Sequence, residues 1–175
     1  EEFCKQILKM ERANETSEVV EENNAEILTQ SVLELNITEP FVDLLVTSPP
    51  YVTSYEYADI HQLSTLWLDY SPDYKHFRTG SIGSLYHSCD LRFNVPKLNQ
   101  SGLTVVMQMY SVDKKQAKAI AQYYVNMQEV VKKICNIVKK GGACLFVIGN
   151  TEYKNVKIDN ARHLAESLLN EGFYN

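Results

Sequence analysis

Apolar residues along this chain fall into two kinds of run, and their alternation predicts its elements. Val42-Asp43-Leu44-Leu45-Val46 and Ala143-Cys144-Leu145-Phe146-Val147-Ile148 are short and nearly continuously apolar, the pattern of strands buried on both faces. Between them, in residues 114–140, Ile120, Tyr124, Met127, Val131, Ile134 and Val138 recur at alternating spacings of four and three. That spacing predicts one long helix with a continuous apolar stripe. Lys139-Lys140 suits the C-terminus of such a helix, and Gly141-Gly142 its stop. Ile158, Ala161, Ala165, Leu168 and Leu169 predict a second amphipathic helix, ended by Gly172. Residues 27–29 read as a short strand, and residues 55–68 as a helix with Ile60, Leu63 and Trp67 on one side. Strands alternating with helices imply an α/β fold, with a parallel sheet flanked by helices on both faces.

The remaining segments set the domain plan. Residues 3–12 carry a brief helical stripe (Phe3, Ile7, Met10), and residues 14–26 are acidic and polar with little to bury. Residues 1–26 therefore read as a helix and polar linker ahead of one domain over residues 27–175. Within that domain, residues 69–100 show no sustained period and read as an irregular insertion. Lys75, His76, Arg78, Arg92 and Lys97 make it locally basic, and Tyr70, Tyr74, Phe77, Tyr86 and Phe93 interleave with them. Such interleaving suits contact with nucleic acid, with Arg78 and Lys97 the chosen DNA contacts. A solvated loop with its aromatics folded onto the core fits the pattern equally well. The chain starts without Met and its last residues read as the opening of a further strand, so it is expected to be part of something larger.

Composition narrows the picture. The 175 residues are 45% hydrophobic and 22% charged, as in ordinary globular domains, and the net charge is −5. That balance argues against a generic nucleic-acid coat but not against an enzyme with one basic face. No run reaches membrane-span length and no secretory signal opens the chain, so no membrane partner is expected. Cys4, Cys89, Cys135 and Cys144 lack paired spacing, which points to a reducing cytoplasm. His61, His76, His87 and His163 lack ligand spacing, and no metal is expected.

The candidate chemistry follows the first strand directly. Ser48-Pro49-Pro50-Tyr51 stands just beyond Thr47, at the carboxyl edge of a parallel strand, where open α/β sheets bind ligands. The prolines fix φ and donate no hydrogen bonds, so local turn bonding does not consume the neighbouring carbonyls. Ser48 Oγ and the Pro49 carbonyl are then acceptors for an external NH₂ group, and Tyr51 offers a stacking face. A surface turn or a proline-rich ligand is the bland alternative. The buried-strand context speaks against both.

The motif resembles that of the DNA amino-methyltransferases, in which Asp, Asn or Ser is followed by Pro-Pro and an aromatic residue. The resemblance covers about two-thirds of the chain. It implies a Rossmann-like fold, S-adenosyl-L-methionine as cofactor, DNA as partner, a place in restriction-modification beside an endonuclease, and catalysis by Ser48, Pro49, Pro50 and Tyr51. The serine favours N4 of cytosine over N6 of adenine as the target. Residues 25–35 resemble the family's strand and turn that meet the cofactor adenine, with Ser31 as the contact, although Gln30-Ser31 stands where Gly-Asp is usual. Residues 138–150 resemble the helix-turn-strand that follows the motif. The Gly-rich cofactor loop has no counterpart here; Gly80-Ser81-Ile82-Gly83 comes nearest but follows no strand. The order of motifs is permuted within the family, so the loop is expected upstream or downstream. The isolated chain is therefore expected to bind the cofactor weakly or not at all. Two other readings stand beside this one: an N-methyltransferase for an RNA base or a protein glutamine, and a degenerate domain that binds DNA or a partner without turnover.

Overall fold

A computed structural model describes Lys5, Leu8, Lys9, Arg12 and residues 26–52, 56–78, 81–86 and 89–174. The chain divides into two units, Glu1–Gln30 and Ser31–Asn175. In the first, Lys5, Leu8, Lys9 and Arg12 are helical; the stripe residues Phe3, Ile7 and Met10 and the acidic residues 14–25 lie outside the described residues. Residues 27–29 form no strand. Ile27 and Leu28 are exposed, and so short a run without burial has nothing to hold it extended.

The second unit is mixed α/β, with a two-stranded parallel sheet flanked by helices. Residues 32–34 make a turn. The Glu34 and Leu35 N–H groups donate to the carbonyls of Ser31 and Val32, and the serine hydroxyl accepts from Leu33 N–H. Strand β1 (Val42–Thr47) follows, then the short helices α1 (Tyr57–Ile60) and α2 (Gln62–Trp67). The single helix expected over residues 55–68 is thus broken at His61. Its apolar side meets no packing partner among the described residues: Leu63 is 77% and Trp67 87% exposed. Without tertiary contact, so short a helix has little to hold it continuous.

The segment expected to be irregular has local order. It holds a 3-10 turn (Tyr74–Arg78), helix α3 (Leu91–Asn94) and a second 3-10 turn (Val95–Lys97), and it leads straight into helix α4 (Gln100–Val112). Helix α4 escaped the sequence reading because Ser101, Gly102 and Thr104 are weak helix formers. Its start is fixed from a distance: Asn99 Oδ1 accepts from Gly102 N–H at 2.8 Å. Glu166, far along the chain, accepts from the Gln100 and Ser101 N–H groups, each at 2.9 Å.

Asp113 ends α4 and caps α5 (Lys114–Ile137), accepting from the Lys115 and Gln116 N–H groups. The predicted stripe is buried through Ile134. Val138 instead begins β2 (Val138–Phe146). Val42 pairs with Val138 and Leu44 with Ala143, so Lys139 to Gly142 bulge opposite the single Asp43. The lysines and glycines expected at a helix end therefore shape this bulge. Lys139 Nζ pairs with the Asp43 carboxylate at 2.9 Å, and a Cβ at Gly142 would press within 3.0 Å of the Asp43 carbonyl.

Strands β1 and β2 are parallel, as expected. Their inner face, with Val42, Leu45, Cys144 and Phe146, packs on Val130, Ile134 and Val138. The expectation of helices on both faces is not met: Leu44, Val46, Leu145 and Val147 on the other face are exposed. Beyond β2, strands β3 (Thr151–Tyr153) and β4 (Val156–Ile158) form an antiparallel hairpin. Lys154 and Asn155 at its tip both have positive φ, as a two-residue mirror-image turn requires. Ile158, assigned to a helix by its spacing, belongs to this hairpin. Helix α6 (Asn160–Asn170) then packs on α4 and α5, and residues 173–174 do not enter a strand.

Candidate functional site

The Pro-Pro turn lies where a parallel pair ends, and it is tied both to the sheet and to the helical layer. Val147 N–H donates to the Thr47 carbonyl at 2.9 Å, extending the pairing past β1. One residue on, Ser48 Oγ–H donates to the Val147 carbonyl at 2.9 Å. A hydroxyl has one proton and two lone pairs. With the proton directed at Val147, the exposed serine oxygen faces any ligand as an acceptor.

The next residues are anchored inward. Pro49 is buried. The Pro50 carbonyl accepts from Tyr123 Oη at 3.0 Å, a bond that reaches across 73 positions. Tyr123 is fully packed on α5, and burial pushes its hydroxyl above the usual tyrosine range, so it donates as a neutral phenol. Of the turn's two proline carbonyls, Pro50's is thus engaged by the core.

Tyr51 is half-buried and gripped on several sides. Its N–H donates to Tyr57 Oη at 3.3 Å. Its carbonyl lies against Gly83, where a Cβ would come within 2.9 Å and where φ is +92°, a position suited only to glycine. Its ring lies against Gly149, where a Cβ would stand 3.0 Å from Tyr51 Cε1. Gly149 in turn is held by Asn160 Nδ2, which donates to its carbonyl at 3.0 Å. Asn160 is buried and accepts from Tyr124 Oη at 3.4 Å. The Gly149-Asn150 pair, which reads in sequence only as a strand stop, makes a floor for the tyrosine ring. Helical period places Tyr123 beside the stripe rather than on it, and nothing in the sequence pattern marks Tyr57, Gly83 or Asn160 as neighbours of the turn.

Of the other predicted site residues, Ser31 lies apart. Ser31 belongs to the turn whose Val32 and Leu33 pack on Val130, Ile134 and Val138. The Pro-Pro turn meets α5 at Tyr123, and eleven residues of helix separate Tyr123 from Ile134, about 16 Å along the axis. Ser31 is therefore at the amino end of the sheet and the Pro-Pro turn at its carboxyl end. Arg78 is bound within the protein. Its guanidinium pairs with Asp59 at 2.7 Å and lies over the rings of Tyr86 and Tyr74, at 4.7 and 5.4 Å. Lys97 is exposed, and its carbonyl accepts from Gln128 Nε2 at 2.7 Å, fastening the second 3-10 turn to α5. Gly83, the nearest match to a Gly-rich loop, is occupied with Tyr51; Gly80 lies outside the described residues.

Among the described residues no helix is long and apolar enough to cross a membrane. No protein-family model matches the chain, and comparison with curated proteins and with solved structures returned no match.

Proposed function

We propose that this chain forms the base-binding part of a DNA amino-methyltransferase, with N4 of cytosine as the favoured target. One observation carries the reading: at the carboxyl edge of a parallel strand pair, Ser48 directs its proton at the Val147 carbonyl, which fixes Oγ as an acceptor three positions before Tyr51. An exocyclic amine is a poor nucleophile because its lone pair is delocalised into the ring. Acceptors at Ser48 Oγ and the Pro49 carbonyl, one for each amine hydrogen, favour a pyramidal nitrogen and stabilise positive charge as it develops there. Stacking on Tyr51 offsets part of the cost of taking the base out of the duplex, by about 1–3 kcal/mol.

S-adenosyl-L-methionine, when bound, supplies an electrophilic methyl group. The residues described here do not make its cradle: Ser31 is at the other end of the sheet, and Gly83 is spent on Tyr51. We therefore expect calorimetry on these 175 residues to show no binding of the cofactor tighter than micromolar. The Rossmann-like fold of the family, of which β1, α5 and β2 would be one crossover unit, belongs to this same proposal, as does a role beside a restriction endonuclease.

The test is methyl transfer from labelled cofactor to unmethylated DNA by the intact gene product, followed by nucleoside analysis. Label in N4-methylcytosine is the expected result. Label in N6-methyladenine would keep the mechanism and overturn the choice of base. Label in RNA or in a protein glutamine, with none in DNA, would replace the substrate.

A further inference from the structure

Tyr51 is held by two segments 28 positions apart, and those segments are joined by one side-chain bond. Tyr57 takes the Tyr51 N–H, and Gly83 packs on its carbonyl. The residues beside these two are Glu56 and Ser84, and Ser84 Oγ donates to Glu56 Oε2 at 2.8 Å. A closed ring results, running Tyr51, Tyr57, Glu56, Ser84, Gly83 and back to Tyr51. Ser84 is buried, and its oxygen also accepts from Tyr86 N–H at 3.2 Å, so its proton has one fixed direction. Three residues on, the Asp59–Arg78 pair straps α1 to the same side of the molecule.

We propose that Glu56 is a positioning residue for Tyr51, closing through Ser84 a clamp that sets the stacking ring for the extruded base. The inference rests on the base-binding reading of the turn. It also gives Gly83 and Ser84 a role within the protein itself. Glu56 Oε1 is enclosed and has no hydrogen-bond partner, so the carboxylate joins Ser84 through Oε2 alone. Loss of the Ser84 hydroxyl should therefore reproduce loss of the Glu56 carboxylate.

The experiment pairs amide hydrogen exchange at Tyr51 with steady-state kinetics on unmethylated DNA, both on the intact gene product. Glu56→Ala and Ser84→Ala should each speed Tyr51 exchange and raise KM for DNA about tenfold, with kcat changed much less. Glu56→Gln keeps an acceptor for Ser84 and should restore both readouts. Glu56→Ala added to Tyr51→Ala should cost little more than Tyr51→Ala alone. If Glu56→Ala does not fold, Ser84→Ala carries the same test. Unchanged Tyr51 exchange in a folded Ser84→Ala variant overturns the clamp, as do additive effects in the double variant. If the wild-type protein transfers no methyl group to DNA, the function reading fails while the exchange arm still decides the clamp.

Discussion

On one face of the β1–β2 sheet, Val42, Leu45, Cys144 and Phe146 pack on α5. On the other face, Leu44, Val46, Leu145 and Val147, no less apolar, are open. The two faces of one pair of strands thus meet opposite environments. Stability gathers on the helical side, where Ile120, Tyr124, Met127 and Val131 of α5 meet Val105, Val106 and Met109 of α4 and Leu164 of α6. The Pro-Pro turn is fastened to both sides: Ser48 to the carbonyl of Val147 on the open face, and Pro50 to Tyr123 in the packed layer. A turn anchored in this way keeps its geometry through the core while presenting its chemistry at the edge.

The largest expected effect tests that contrast directly. Tyr124 is fully buried and stacks on His163 with ring centroids 3.9 Å apart. Tyr124→Ala should cost about 3–5 kcal/mol in urea unfolding, as for other large aromatic truncations. Leu145→Ala, on the open face, should stay within about 0.5 kcal/mol. Equal costs would mean that the outer face is packed after all.

A second test uses pH. His163 is buried against Tyr124, Gln128 and Gly102, and burial pulls its pKa from 6.5 to about 4, with nearby Glu166 acting weakly the other way. Below pH 6.5 the unfolded chain takes a proton that the buried ring refuses. Stability should therefore fall as pH drops from 6.5 towards 4, by at most about 3 kcal/mol. In His163→Gln, denaturation midpoints across that window should lose this part of the slope. A slope that survives intact would place its origin elsewhere.

The smallest effect separates the two cations assigned to DNA. Arg78→Ala breaks the pair with Asp59 and should lower stability slightly while leaving the salt dependence of DNA binding unchanged. Lys97→Ala should leave stability alone and, if Lys97 meets a phosphate, lower the salt slope by about 1. The reverse pattern would return Arg78 to the DNA surface.

How much of this was legible in the sequence follows from the range of the interactions. The parallel pair and the α5 stripe announce themselves because burial imprints a local period on the residues that make them. Helix α4 does not, because Glu166, far along the chain, fixes its first N–H groups. The β3–β4 hairpin was hidden by a Lys-Asn tip in place of the commoner Asn-Gly. In the site, the acceptor tetrapeptide Ser48–Tyr51 is local and readable. The groups that hold it, Tyr57, Gly83, Tyr123 and Gly149, come together only through tertiary packing. Arg78 shows a further long-range effect: a basic residue among aromatics suggests nucleic acid, and its pairing with Asp59, nineteen positions earlier, is not written in that local pattern.

Methyl transfer by a Ser48→Ala variant of the intact gene product, measured beside wild type on unmethylated DNA, tests the central claim most directly. Removing one of the two amine acceptors should lower kcat by roughly 10²–10³, by analogy with loss of one oxyanion-hole donor. The fold should be retained, because Ser48 is exposed and its bond to Val147 lies at the end of the strand pair. Wild-type turnover in a folded Ser48→Ala protein would contradict the account and return Ser48-Pro49-Pro50-Tyr51 to an ordinary turn.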